Sequence, residues 1–142
     1  MIDMQYFDRV GQSKKAYARA LEPIAKKWGL TQNELDVLLF LYHNPTLNRA
    51  ADIVSRRGIS KSHVSVSVSS LESKNLLARL TGGDRRASPL SLTDAGCAIA
   101  REGAQAQHQF YQQLFNGVTE EEISAWKSIV RKVGENLQHM DK

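Results

Sequence analysis

ISKSHVSVSVSSLE, residues 59–72, alternates valine and serine with period two through its centre, a pattern that on propensity alone reads as a half-buried strand. Signals at its two ends override that reading. Ser60 is a strong N-cap residue, Val64, Val68 and Leu71 keep steps of four and three, and Glu72-Ser73-Lys74-Asn75 closes on a residue that tolerates the left-handed conformation. The spacing predicts a helix over 61–74 that buries Val64, Val68 and Leu71. Lys61, Ser62, His63, Ser65, Val66, Ser69 and Ser70 then lie on or beside an open face. Serine is a mediocre helix former and adds little packing, so such a face fits close approach to another large surface.

The flanking segments surround this helix with others. On the N-terminal side, Leu47, Ala50, Ala51, Ile53 and Val54 mark a short helix closed by Gly58. Before it, Thr31 and Glu34 form a T-x-x-E capping box that opens a densely apolar, central helix (Leu35, Leu38, Leu39, Leu41, Tyr42) ended by Asn44-Pro45. A first helix carries Phe7, Val10, Tyr17, Leu21, Ile24 and Trp28 as a narrow apolar stripe, with a kink expected at Pro23 and an end at Gly29. On the C-terminal side, LLARL and SPLSLT flank TGGDRRA, giving two short strands joined by a glycine-bearing loop, and Pro89 confines the second strand to an edge. Thr93 then caps a long helix containing Ala95, Ala98, Ile99, Ala106, Phe110 and Leu114. A second capping box, Thr119 with Glu122, opens a last helix in which Ile123, Trp126, Val130, Val133, Leu137 and Met140 follow heptad spacing.

The predicted architecture is mainly α with a small β-wing: a winged helix-turn-helix over 30–93, flanked by helical dimerisation segments at 1–29 and 94–142, all within one domain. The 142 residues are 42% hydrophobic and 24% charged, which is enough for a core without staples. Cys97 is the single cysteine, so neither an internal disulfide nor a four-thiolate zinc site can form. The opening MIDMQYFDRV lacks the basic start and apolar run of a secretory signal, and no stretch approaches about 18 apolar residues. A cytoplasmic, membrane-free protein is expected. The net charge of +4 is unevenly spread: residues 56–86 hold seven basic and two acidic residues, whereas 87–142 hold five and seven. A basic block of this kind meets a polyanion or forms a solvated face.

Two stretches give the chain its resemblance to the multiple-antibiotic-resistance regulator (MarR) family, and the likeness runs over essentially the whole sequence. LTQNELDVLLFL is similar to the family's L-T-x-x-x-x-x-V-L-x-x-L helix, and DRRASPLSLTDAG has its D-x-R, five residues, L-T-x-x-G spacing through Asp84, Arg86, Leu92, Thr93 and Gly96. The resemblance implies a homodimeric transcriptional regulator, commonly a repressor, that binds a pseudo-palindromic operator. It also implies release by a small aromatic or anionic ligand. The chain departs from family habit at Val66 and Ser67, where a basic and an apolar residue are usual.

Physical chemistry assigns the same residues independently. Arg56 and Arg57, with Lys61, Lys74 and Arg79, suit phosphate contacts that weaken with salt. Ser60, Lys61, Ser62, His63, Ser65, Ser69 and Ser70 supply donors and acceptors on a helix that fits a major groove, and Val66 suits a thymine methyl. In the wing, residues 82–87, Arg86 is expected in a narrow minor groove with Asp84 orienting it, and Arg85 on a phosphate. Tyr17, Phe40, His43 and Phe110 are candidates to line a ligand pocket. Phe7, Val10, Ile123, Trp126, Val130, Val133 and Leu137 are candidates for the dimer interface. No cofactor or metal is expected: His43 and His108 lack a completing ligand, with Gln112 one turn on. Cys97 reads as a small core residue, and the family's peroxide sensors place their cysteine in the first helix, where this chain has none. The serines around His63 show no Ser-His-Asp logic, so no enzyme is expected. The rival reading is a winged-helix adaptor that binds protein and shows no specific DNA affinity.

Overall fold

Capping side chains set the helix boundaries. In a computed structural model of the chain, which describes residues 4–80 and 87–141, the elements run α1 (Met4–Lys27), α2 (Gln32–His43), α3 (Ala50–Arg57), α4 (Lys61–Ser73), β1 (Leu77–Arg79), β2 (Leu90–Leu92), α5 (Asp94–Leu114) and α6 (Glu120–Met140). Thr31 and Glu34 form a reciprocal capping box at the start of α2, and Thr119 and Glu122 form another at α6. Ser60 Oγ accepts the His63 N–H at 3.2 Å and starts α4, so the valine–serine stretch is helical. Gly58 closes α3 at φ +67°, and Asn75 follows α4 at φ 59°, both in the left-handed region. α1 passes through Pro23 as one continuous helix.

By packing, the chain divides into one unit up to Phe110 and a second from Tyr111 onward. In the first, α2 is central. Leu35, Val37, Leu38, Leu39, Phe40 and Leu41 are buried, and the helix packs against α1, α4 and β2. Ile53 of α3, Val64, Val68 and Leu71 of α4 and Leu77 of β1 complete the core. Tyr42, grouped with the apolar face of α2 by spacing, lies at its exposed margin. In the second unit Phe115 meets Trp126 edge to face at 5.1 Å, and α6 has no buried residue.

β1 and β2 are antiparallel with Leu77 opposite Leu92 and Arg79 opposite Leu90. The Leu80 N–H donates to the Pro89 carbonyl at 2.9 Å, and the Leu90 N–H to the Asn48 carbonyl at 2.7 Å, which ties the sheet to the segment before α3. The L-T-x-x-G motif is a latch between the sheet and α5. The Thr93 N–H donates to the Leu76 carbonyl at 3.2 Å. Thr93 Oγ1 donates to the Asn75 carbonyl at 2.8 Å and accepts the Gly96 N–H at 3.1 Å. A Cβ on Gly96 would lie 2.0 Å from the Leu76 carbonyl oxygen, so only glycine permits this backbone approach. The buried face of α5 is Gly96, Ile99, Ala100, Gly103 and Phe110, whereas Ala95 and Ala98 of the expected apolar set face solvent.

Candidate nucleic-acid interface

Helical periodicity divides α4 into two faces. Val64, Ser67, Val68 and Leu71 are buried, and Lys61, Ser62, His63, Ser65, Val66 and Ser69 are exposed. Val66, 69% exposed, is the one large apolar side chain turned outward on this helix. Ser60 Oγ, besides capping, lies 3.3 Å from Ser62 Oγ.

The rotation of α4 is held by Glu34, which capping logic alone did not reveal. This residue is 4% exposed. Its Oε1 accepts the Thr31 N–H at 3.0 Å, and its Oε2 accepts Ser70 Oγ at 2.7 Å and Lys74 Nζ at 3.0 Å. Lys74 Nζ also reaches the Gly29 carbonyl at 3.2 Å. Burial by itself would raise the Glu34 carboxyl, but the Thr31 N–H, the Ser70 hydroxyl and the Lys74 ammonium together hold it below its ordinary 4.5. Spacing puts Ser70 on or beside the open face. It is half-buried and its hydroxyl anchors the helix to α2, because a carboxylate 36 positions earlier supplies a stronger acceptor than water.

The basic residues sort by partner. Lys74 is engaged with Glu34, and Arg79 Nε lies 3.5 Å from Glu72 Oε2 with only 15% of its side chain exposed. Arg57 Nη2 lies 3.7 Å from Asp36 Oδ1, and Arg57 keeps 42% of its side chain exposed. Burial pushes the Asp36 carboxyl above its ordinary 3.8 against the pull of Arg57. Arg56 and Lys61 are exposed and have no ion-pair partner among the described residues. Arg49, which sequence reasoning did not single out, donates from its guanidinium to the Ala87 carbonyl at the base of the wing. Asp84, Arg85 and Arg86 lie outside the described residues.

Two of the four candidate pocket residues, His43 and Tyr17, are joined through a residue that the sequence did not flag. Gln107 Oε1 pairs with His43 Nε2 at 2.8 Å while its Nε2 donates to the Tyr17 hydroxyl at 2.7 Å. With the amide so oriented, His43 must carry its proton on Nε2. Tyr17 and Phe110 meet edge to face at 5.6 Å, and Phe40 and Phe110 are buried. Of the residues assigned to dimerisation, Phe7, Val10, Trp126, Val130, Val133 and Leu137 are exposed and Ile123 is half-buried. No group of three or more His, Cys, Asp or Glu suited to a metal occurs among the described residues, and none of their helices is long and apolar enough to cross a membrane.

Known proteins share this fold. The MarR family model matches residues 28–87. The HTH-type transcriptional repressor MdtR of Bacillus subtilis (strain 168) is 30% identical over 130 residues, which is 91% of this chain and 83% of that protein. A MarR family transcriptional regulator from Listeria monocytogenes, solved with 26-mer DNA, superposes with a TM-score of 0.82 at 18% identity, covering 96% of this chain and 90% of that one. BpsR of Bordetella bronchiseptica, whose DNA binding is regulated by 6-hydroxynicotinic acid, gives a TM-score of 0.72 at 23% identity over 92% and 98% of the two chains.

Proposed function

The chain belongs to the MarR family of transcriptional regulators, and from that premise we propose that it is a homodimeric cytoplasmic repressor of a pseudo-palindromic operator. Two copies of α4 enter successive major grooves about 34–36 Å apart. The observation that carries this reading is the division of α4: one face locked into the core and to Glu34, the other a polar surface of small side chains flanked by exposed Arg56 and Lys61. Lys61, Ser62, His63, Ser65, Val66 and Ser69 read bases, Arg56, Arg57 and Arg85 meet phosphates, and Arg86, oriented by Asp84, serves the flanking minor groove. The exposed apolar residues Phe7, Val10, Trp126, Val130, Val133 and Leu137 form the dimer contact.

A small aromatic or anionic ligand at Tyr17, Phe40, His43 and Phe110 releases the DNA. Regulation of BpsR by an aromatic acid and the linked His43–Gln107–Tyr17 hydrogen bonds support this reading. Both lobes must engage at once for full affinity, so a ligand that alters their spacing is sufficient for release. DNase I footprinting on the DNA upstream of the gene tests the proposal. A protected, inverted-repeat segment bound by two protomers is expected, and a fragment left wholly unprotected at saturating protein would refute it.

A further inference from the structure

The exposed face of α4 has an uncommon composition for base reading. Between Lys61 and Ser73 there is no Arg, Asn or Gln, the side chains that pair bidentately with guanine or adenine. What the face offers is serine at 62, 65 and 69, His63, and Val66. Ser62, Val66 and Ser69 follow the i, i+4, i+7 spacing of a single helical stripe, and Ser65 adjoins it. Val66 therefore stands at the centre of the face, with serines one turn before and after it.

An exposed valine on a helix is not explained by helix propensity, since β-branching lowers it, nor by packing, since Val66 is 69% exposed. The same branching confines its side chain to one main rotamer, so its methyls are held in place before any partner arrives. Ser67 and Val68 beside it in sequence are buried, and Glu34 bonds Ser70 and Lys74 one and two turns on, so α4 cannot roll to hide Val66. The 5-methyl of thymine is the apolar group that the major-groove edge of a base pair presents.

Resting on the operator reading above, we infer that Val66 is a specificity-determining residue: each half-site is selected by the 5-methyl group of a thymine against Val66, framed by single hydrogen bonds from the neighbouring serines. Discrimination then comes from methyl burial, which corresponds to about a fourfold change per half-site and about fifteenfold for both.

The test uses the full-length protein and thymine-to-uracil substitution, which removes the methyl and leaves the pairing edge intact. The shortest tightly bound duplex is taken from the upstream region or by selection from random double-stranded DNA. Each symmetry-related thymine pair is replaced by uracil, and affinity is read by fluorescence polarisation. One pair should lose about fifteenfold, and Val66→Ser should bind the thymine and uracil duplexes equally. Affinity that changes less than twofold at every pair would overturn the inference, as would a uracil penalty that persists in Val66→Ser. The scan on the unaltered protein stands even where the variant fails to fold. A protein that selects no duplex refutes the operator reading and the thymine contact together; one that selects a duplex yet tolerates uracil refutes the thymine contact alone.

Discussion

Replacing Glu34 removes the acceptor on which three donors converge. In Glu34→Ala the Thr31 N–H loses its capping partner, at a cost of about 0.5–2 kcal/mol by the usual range for helix caps. Ser70 Oγ and Lys74 Nζ lose a charged acceptor, each such bond contributing about 1.5–3 kcal/mol. The Lys74 side chain is 38% exposed, so water replaces much of what its ammonium loses. Taking the low end for Lys74 and allowing for non-additivity within one cluster, the expected total is about 2–4 kcal/mol. That is a large fraction of a stability of about 5–15 kcal/mol.

Glu34→Gln keeps an oxygen for the Thr31 N–H but puts an NH2 donor where Oε2 accepts Ser70 Oγ and Lys74 Nζ, so it should cost less than the alanine variant only by the retained cap. Urea denaturation followed by circular dichroism, at one fixed protein concentration because dimerisation contributes, measures both. The pH dependence gives a second reading. The native Glu34 carboxyl is held below 4.5, so its contribution is complete above that value and is lost as pH falls through the native pKa. The stability gap between the unaltered protein and Glu34→Gln should therefore close in acid. A Glu34→Ala cost below about 0.5 kcal/mol, within the range of ordinary surface changes, would refute the clamp.

Other substitutions probe other parts of the account. Gly96→Ala forces a Cβ to within 2.0 Å of the Leu76 carbonyl oxygen and should cost about 3 kcal/mol or more by the overpacking scale; unchanged urea stability would show that α5 can retreat from the turn. Charged residues at both Val133 and Leu137 should yield monomers by light scattering and abolish operator binding, and a variant that stays dimeric would rule out this seam. Arg86→Ala should weaken binding by about 1–3 kcal/mol, chiefly at A·T-rich flanks. An equal loss on every flank sequence would reassign Arg86 to the phosphates.

Local chemistry made the helix boundaries legible. Thr31, Glu34, Ser60, Thr119 and Glu122 act within their own turns, and Gly58 and Asn75 take the left-handed conformation, to which glycine is suited by its missing Cβ and asparagine by its short polar side chain. The valine–serine stretch was readable as a helix because Val64, Val68 and Leu71 recur at helical spacing while Ser60 caps it. What was not legible depends on partners distant in sequence. Ser69 and Ser70 are the same residue type side by side, and only the Glu34 carboxylate turns one of them inward. Gln107 bridges His43 and Tyr17 from a different helix, and Arg49 reaches the Ala87 carbonyl 38 positions on. No periodicity in one segment encodes such pairings. On α5 the small buried residues are Gly96, Ala100 and Gly103, which close approach to Leu76 and Leu39 favours, so a count of apolar positions chose Ala95 and Ala98 instead.

The central claim, that α4 presents a sequence-reading face to DNA, is tested most directly by fluorescence-polarisation titration of the protein against its own upstream DNA and against scrambled DNA of equal length, across a salt series. A specificity ratio of about 10³ or more is predicted, with the affinity for both fragments falling as salt rises because Arg56 and Arg57 meet phosphates. Equal and steeply salt-sensitive binding to the two fragments would contradict it.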